Sequence, residues 1–317
     1  VIGRRPVGRT GIQVTELGFG AASIGNLFSE IEDDVARQTV DAAWAAGIRY
    51  FDTAPHYGLG LSERRLGAAL AGRPRAEYVV STKVGRILVP NPSPTGSDLS
   101  TSMFAVPDDL TRQPDYSAAG VRRSLEASLA RLGLDRVDIV LVHDPDDHVE
   151  QAVTEAIPAL IALRDEGVIG AVGVGMNQWP APLRILRRTD LDVIMLAGRW
   201  TLLDRSGEPL LAACAERGVS VLAAAPFNSG VLSNIGPITE GLFNYEPAAR
   251  PVVDRAGELA RLAGQHDIPL PQAALQFPLR HPATAGVVAG LRTPDQATSA
   301  SRWLNQPVPE AFWKEAL

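Results

Sequence analysis

Short apolar runs rich in β-branched residues recur along the chain, with stretches of helical apolar spacing between them. The runs are LGFG (17–20), IRYFD (48–52), YVVSTK (78–83), VDIVLVH (137–143), IGAVGVG (169–175), DVIML (192–196), VSVLAAA (219–225) and AGVVAG (285–290). They are apolar almost throughout instead of at alternate positions, as strands buried on both faces of a parallel sheet are. In one intervening stretch Val121, Leu125, Leu129 and Leu132 follow at spacings of four, four and three residues and share a helix face. Ahead of the first run, RRPVGRTGIQVTEL alternates apolar and polar residues around Arg9-Thr10-Gly11, which predicts a short N-terminal β-hairpin able to cap a barrel end. Eight strand–helix units in 317 residues predict an α/β protein with a (β/α)8 TIM barrel, a fold of about 250 residues plus insertions. A doubly wound sheet is the competing architecture, but no GxGxxG turn follows the first run, and GFGAASIG has the wrong spacing. Arg86 to Ser117 and Asn228 to Ala248 break the rhythm. Both follow strands, so both are expected as long loops over the C-terminal mouth. No linker divides the chain, and residues 1–317 read as a single barrel domain.

Composition narrows the function. With 45% hydrophobic and 21% charged residues the chain reads as an ordinary globular protein. A net charge of −6 and the lack of a dense basic run argue against a nucleic-acid or anionic membrane surface, leaving a small molecule as the expected partner. Cys214 is the only cysteine, which excludes an intrachain disulfide and makes a Cys-ligated metal site a poor reading. The opening VIGRRPVGRTG has no signal-peptide core, so a reducing, cytoplasmic setting is expected. The oligomeric state is left open.

Candidate chemistry gathers at the strand ends. Asp52 closes one strand, and Tyr57 follows before a helix expected from about Ser62. Lys83 ends another strand and is one of only two lysines among 30 cationic residues, the other being Lys314. An ammonium there is a choice to be explained, because its pKa can shift where that of a guanidinium cannot. His143 ends the most apolar strand. All four fall at C-terminal strand ends, where barrels of this type place their active sites. His143, Asp144, Asp146 and His148 could suggest a metal, but as a contiguous turn they read better as a solvated acidic loop, and no metal is expected. His56 is expected either to line the substrate pocket or to face solvent.

Taken in order, FDTAPHYGLGLSERRLG, STKVG, RRSLEASLARLGLDRVDIVLVHD, VGVGMNQ, APFNSGVL and GLRTPDQ resemble the aldo-keto reductase superfamily over almost the whole chain. The resemblance implies Tyr57 as general acid–base, Lys83 as the group that lowers its pKa, Asp52 as the partner of Lys83, and His143 as the residue orienting the substrate oxygen. The residue reading agrees, since a phenol titrating near pH 10 needs a nearby cation to exchange protons at neutral pH, and no side chain carries hydride.

The resemblance also implies a nicotinamide dinucleotide, NADP(H) or NAD(H). Gly20, Ala21 and Gly290 would lie at the strand ends beside it. Asn177 would hold the carboxamide, although the serine common before it is Met176 here. Trp200 would stack on the nicotinamide, while Ala197, Gly198 and Arg199 depart from the family pattern. Pro226, Phe227, Asn228, Ser229, Gly230 and Leu232 resemble the pyrophosphate loop. Thr293, Pro294 and Gln296 form a T-x-x-Q capping box that aims a helix N-terminus at an anion. Arg292 resembles the 2′-phosphate contact and inclines the expectation toward NADP(H), whereas Ser299-Ala300 replace the family's adenine contacts. GRWTLLD, PFNSGVL and the insertion after Lys83 look most like the aldose 1-dehydrogenases (L-fucose or D-threo-aldose type) and pyridoxal 4-dehydrogenases, which implies oxidation of a sugar-like or pyridoxal-like cyclic hemiacetal. General carbonyl reduction is an alternative, and a non-catalytic cofactor-binding sensor is the rival of another class.

Overall fold

The computed structural model describes all 317 residues. The N-terminal hairpin pairs β1 (Arg4–Pro6) with β2 (Gln13–Thr15), antiparallel. The barrel begins with β3 (Leu17–Gly20), β4 (Tyr50–Asp52) and β5 (Val79–Val84). An antiparallel excursion, β6 (Arg86–Pro90) with β7 (Leu110–Pro114), then leaves the barrel. The barrel resumes with β8 (Ile139–His143), β9 (Ala171–Met176), β10 (Val193–Ala197) and β11 (Ser220–Ala224). A second small ribbon pairs β12 (Leu242–Phe243) with β13 (Glu246–Pro247), and β14 (Thr284–Gly290) closes the ring against β3 and β11. Each of the eight apolar runs contributes one barrel strand, joined in parallel register into the expected (β/α)8 barrel.

Side chains alternate between the barrel axis and the helical layer, as period two requires. In β8, Val140 and Val142 pack outward into the large core under the helices, while Ile139 and Leu141 fill the barrel with Tyr50, Val193 and Met195. Val7 and Val14 join this inner cluster at the strand starts, so the hairpin plugs the N-terminal end. At the opposite end the same parity brings Asp52, Lys83 and His143 inward. The interior is thus apolar below and polar above.

The two irregular stretches both carry ribbons, the first bearing the Arg86 and Leu110 strands and the second β12 with β13. A further pairing lies at the mouth, where Leu27 bridges Phe104 and Phe28 N–H donates to Met103 O at 2.7 Å. Two arginines grip this first loop through its carbonyls: Arg65 on Ile24 and Ile31, and Arg292 on Leu27, Ser29 and Glu30. The last helix, Glu310–Ala316, buries Phe312 and Trp313 in a satellite core with Val253 and Leu270.

Candidate active site

Asp52, Lys83 and His143 stand at the ends of three neighbouring strands, and Tyr57 reaches them from the turn after β4. The Lys83 ammonium donates to Asp52 Oδ1 and Oδ2 at 3.0 and 2.8 Å, to Thr53 O at 2.9 Å and to Tyr57 OH at 3.0 Å. Both charged side chains are nearly sealed from water, at 2% and 4% exposure. A buried charge is tolerated only when paired and hydrogen-bonded. The pairing continues inward, because Ser81 Oγ donates to Asp52 Oδ1 at 2.7 Å and sits 2.9 Å from Tyr50 OH.

Burial drives the titration of these groups. It pushes the Tyr57 phenol up to about 12, against the downward pull of the Lys83 cation and with a further upward push from Asp52. For Lys83, burial disfavours the ammonium, but Asp52 and Tyr57 outweigh it and hold the group above its ordinary value. Burial, then Lys83 and Arg86, press the His143 imidazole well below its usual range, so it is neutral. The His56 ring is lowered too, by burial and then Arg112 and Arg86. It packs edge-on to His143 and Phe104, with centroids 5.5 Å away in each case, and lines the site. Tyr57 and His143 also meet edge to face at 5.9 Å.

Glycines make the close approaches possible. Gly58 sits at φ +60°, where a Cβ would lie 2.2 Å from Gly25 O, so the loop after β3 presses directly on the Tyr57 turn. Gly85 at φ +102° accepts the Tyr116 ring, whose hydroxyl donates to His143 O and Asp144 O at 2.7 and 2.9 Å.

Beside these groups lies a cavity of about 160 Å³ whose walls include Asn177, Asn228, Ser229 and Tyr245. Asn228 is 2% exposed. Its Nδ2 donates to Gly198 O at 3.2 Å, while its Oδ1 is buried without a partner. Such an orphan acceptor calls for a donor from a ligand, and the carboxamide of a nicotinamide is a group of that kind. Ala225, Asn228 and Ser229 are held at positive φ, a cost that other proteins concentrate at ligand sites. Thr293 Oγ1 accepts from Gln296 N at 3.2 Å and so caps the helix Pro294–Asn305, while Gln296 Oε1 reaches past the cap residue to accept from Arg292 N at 2.7 Å, so only the Thr293 half of the expected box is formed. Gly20 and Gly290 pair across β3 and β14, and Ala21 N–H donates to Asp52 O at 2.9 Å. The residues present therefore suit a nicotinamide dinucleotide.

Several expectations need correction. Trp200 does not line the cavity: its indole packs on Phe277 at 5.2 Å and donates to Pro278 O at 3.3 Å, and Tyr245 is the aromatic residue in the wall. Leu232 is fully buried in the satellite core, with its N–H given to Phe227 O at 3.1 Å, so neither end of it is free for a phosphate. Pro226 is buried, and Phe227 packs against both cores. The Arg292 guanidinium faces the loop after β3, where it donates to Leu27 O and Ser29 O at 3.0 Å and to Glu30 O at 2.7 Å. Asp144 is not part of a solvated loop. Its carboxylate is 14% exposed and accepts from Arg86 Nη2 at 3.0 Å, and burial pushes it up to about 6 in spite of Arg86.

Sequence reading missed Tyr245, Phe104, Arg86 and Asp144. A signal existed for Arg86, since RILV and LTRQ form two extended runs flanking turn-rich residues. Tyr245 offers none, as it sits in an Asn- and Gly-rich loop.

The profile of the Aldo/keto reductase family matches residues 16–316. A D-threo-aldose 1-dehydrogenase from Pseudomonas sp is 46% identical over 96% of this chain and 94% of its own length. A pyridoxal 4-dehydrogenase from Microbacterium luteolum is 36% identical over 98% and 95%. Among solved structures, the holo form of an aldo-keto reductase from Bacillus halodurans superposes with a TM-score of 0.78 at 29% identity, covering 100% of this chain and 95% of that one.

Proposed function

The chain belongs to the aldo/keto reductase family and is an oxidoreductase, and we propose that it oxidises a sugar-like cyclic hemiacetal to the lactone. The observation that carries this reading is the Lys83 ammonium, sealed from water with the Asp52 carboxylate and in reach of the Tyr57 hydroxyl. Aldo/keto reductases use nicotinamide cofactors, and when bound the oxidised nicotinamide would supply the hydride acceptor. Asn177, Asn228 and Ser229 would hold that end of it, and the capped helix at Thr293 and Gln296 the phosphates.

Tyr57, once ionised to the phenolate, accepts the C1 hydroxyl proton as the C1–H bond is given up and the C1–O bond becomes a carbonyl. In reduction it returns the same proton. A phenol at about 12 is an acid at neutral pH, so oxidation gains from mildly alkaline conditions and from any cation near the ring. Lys83 favours the phenolate, Asp52 keeps Lys83 in place, and neutral His143 holds the reacting oxygen. The cavity wall at Asn177 and Asn244, and the His56 ring against His143, are polar and suit a hydroxylated substrate, since each buried hydroxyl needs a partner. The names of the two dehydrogenase relatives support an aldose or a pyridoxal-type hemiacetal. Pyridoxal is the second reading, favoured by the Phe28 and Tyr245 rings 6.3 Å apart at the mouth.

Cofactor preference turns on Arg292. A 2′-phosphate would have to draw the guanidinium off three carbonyls, so the inclination toward NADP(H) is expected to be small and NAD(H) to serve about as well. The test is steady-state cofactor reduction with L-fucose, D-arabinose and pyridoxal against simple aliphatic alcohols. Efficient turnover of the alcohols with none of a hemiacetal overturns the substrate reading, and no turnover of anything favours the sensor.

A further inference from the structure

We infer that Asp144 and Arg86 form a subsite that reads the substrate hydroxyl neighbouring the reacting carbon. The inference rests on the hemiacetal reading for its natural substrate, but its geometry stands apart from the catalytic hydrogen bonds. Asp144 follows His143 directly and is held at φ +40°, a left-handed conformation that Asp and Asn, after Gly, adopt more readily than other residues. The turn is fixed from both sides: Asp144 N–H donates to Gly175 O at 2.9 Å, and Tyr116 OH clamps the carbonyls of His143 and Asp144. Strain maintained in this way is found at ligand sites.

The conformation sets the carboxylate beside the nitrogen that faces the reacting oxygen. Asp144 Oδ2 lies 3.6 Å from His143 Nε2, too far for a hydrogen bond. A hydroxyl oxygen set between them lies within reach of both. The only donor on the carboxylate is Arg86 Nη2, at 3.0 Å, which leaves most of its lone-pair sites unused. The unused acceptor sites stay open at the mouth, since the carboxylate keeps 14% exposure, and are available to a donor on the substrate. A sugar hydroxyl donates to Asp144 and accepts from Arg86, whose side chain keeps 26% exposure at the mouth. With the C1 oxygen on Tyr57 and His143, the vicinal hydroxyl of a pyranose, one hydrogen-bond length away, can reach Asp144 Oδ2, which lies 3.6 Å from His143 Nε2.

Two probe pairs test the subsite in Asp144→Asn, which tolerates the left-handed turn, and in Arg86→Leu. The first pair sets L-fucose or D-arabinose against 2-hydroxytetrahydropyran, a hemiacetal with no other hydroxyl, in oxidation. The second sets D-glyceraldehyde against propanal in reduction and does not depend on the hemiacetal reading. Both variants should lose about 10- to 100-fold in kcat/KM on the hydroxylated member, mainly through KM, as expected for a hydrogen bond to a charged group. The unhydroxylated member should change far less, because it has no hydroxyl to offer the pair. Equal losses on both members overturn the proposal, because Asp144 would then act through His143, and so does an unchanged KM on the hydroxylated members. Failure of the wild type on every hemiacetal, with selectivity intact in the second pair, overturns the substrate reading and leaves the subsite standing.

Discussion

Replacing Lys83 by methionine isolates the effect of the cation on the phenol. The ammonium lies 3.0 Å from Tyr57 OH, and at an effective dielectric of about 20 the Coulomb attraction to a phenolate is about 5 kcal/mol, or about 4 pKa units. Asp52 sits 2.8 Å from the same nitrogen and cancels a large part of the field, so a net rise of about 2 units is expected for the phenol. Below the ionisation limb that is about a 100-fold loss in the oxidation rate. The assay is kcat for aldose oxidation between pH 6 and 10. With the wild-type phenol at about 12, both rates should climb about tenfold per unit across this window, as a single ionisation requires, with Lys83→Met displaced by about 100-fold throughout. A deficit below about tenfold, or a variant rate that no longer rises with pH, would refute the reasoning and leave Lys83 a positioning role only. Because the change also leaves the Asp52 carboxylate without its counter-ion, the double variant Asp52→Asn, Lys83→Met serves as the folding control.

Tyr57→Phe should cut kcat by about 100-fold or more with the cofactor Kd from fluorescence titration within about twofold of wild type; retention of a tenth of the activity removes Tyr57 from its role. Arg292→Leu should change the ratio of kcat/KM for NADP to that for NAD by less than about tenfold, because the guanidinium is spent on backbone carbonyls; a hundredfold fall would show that it leaves them for the 2′-phosphate. Glu63 is fully buried and accepts from Arg131 Nε at 2.5 Å and Thr82 Oγ1 at 2.8 Å. Glu63→Gln should cost about 3 kcal/mol in urea unfolding, since breaking one side of a buried pair leaves an uncompensated cation. A loss below about 1 kcal/mol would count against that account.

The barrel was legible because its signals are local. Each strand is a continuous apolar run, and period two then forces Asp52, Lys83 and His143 inward at the same end. What escaped the sequence depends on where long side chains reach. Arg292 finds its carbonyls some 260 positions away at Leu27 to Glu30, and no local pattern encodes that contact. Asp144 reads as solvated among Asp146, Asp147 and His148 until the excursion bearing Arg86 folds back and covers it. Trp200 can turn toward the cavity or away, and the Phe277 face, which belongs to a later helix, takes it away. The Thr293 cap was legible for the opposite reason, since its partner Gln296 lies within the same turn.

The scarcity of lysine has a practical side. Lys83 is 2% exposed and tied to Asp52, Thr53 and Tyr57, and an ammonium raised above its ordinary value presents almost no free amine. Cys214 is buried, and its thiol is raised to about 12 by that burial. Among side chains, an acylating reagent therefore meets one open amine, Lys314, exposed on the last helix. A dye, biotin or solid support joined there sits beside the satellite core, with the catalytic lysine shielded by its own hydrogen bonds.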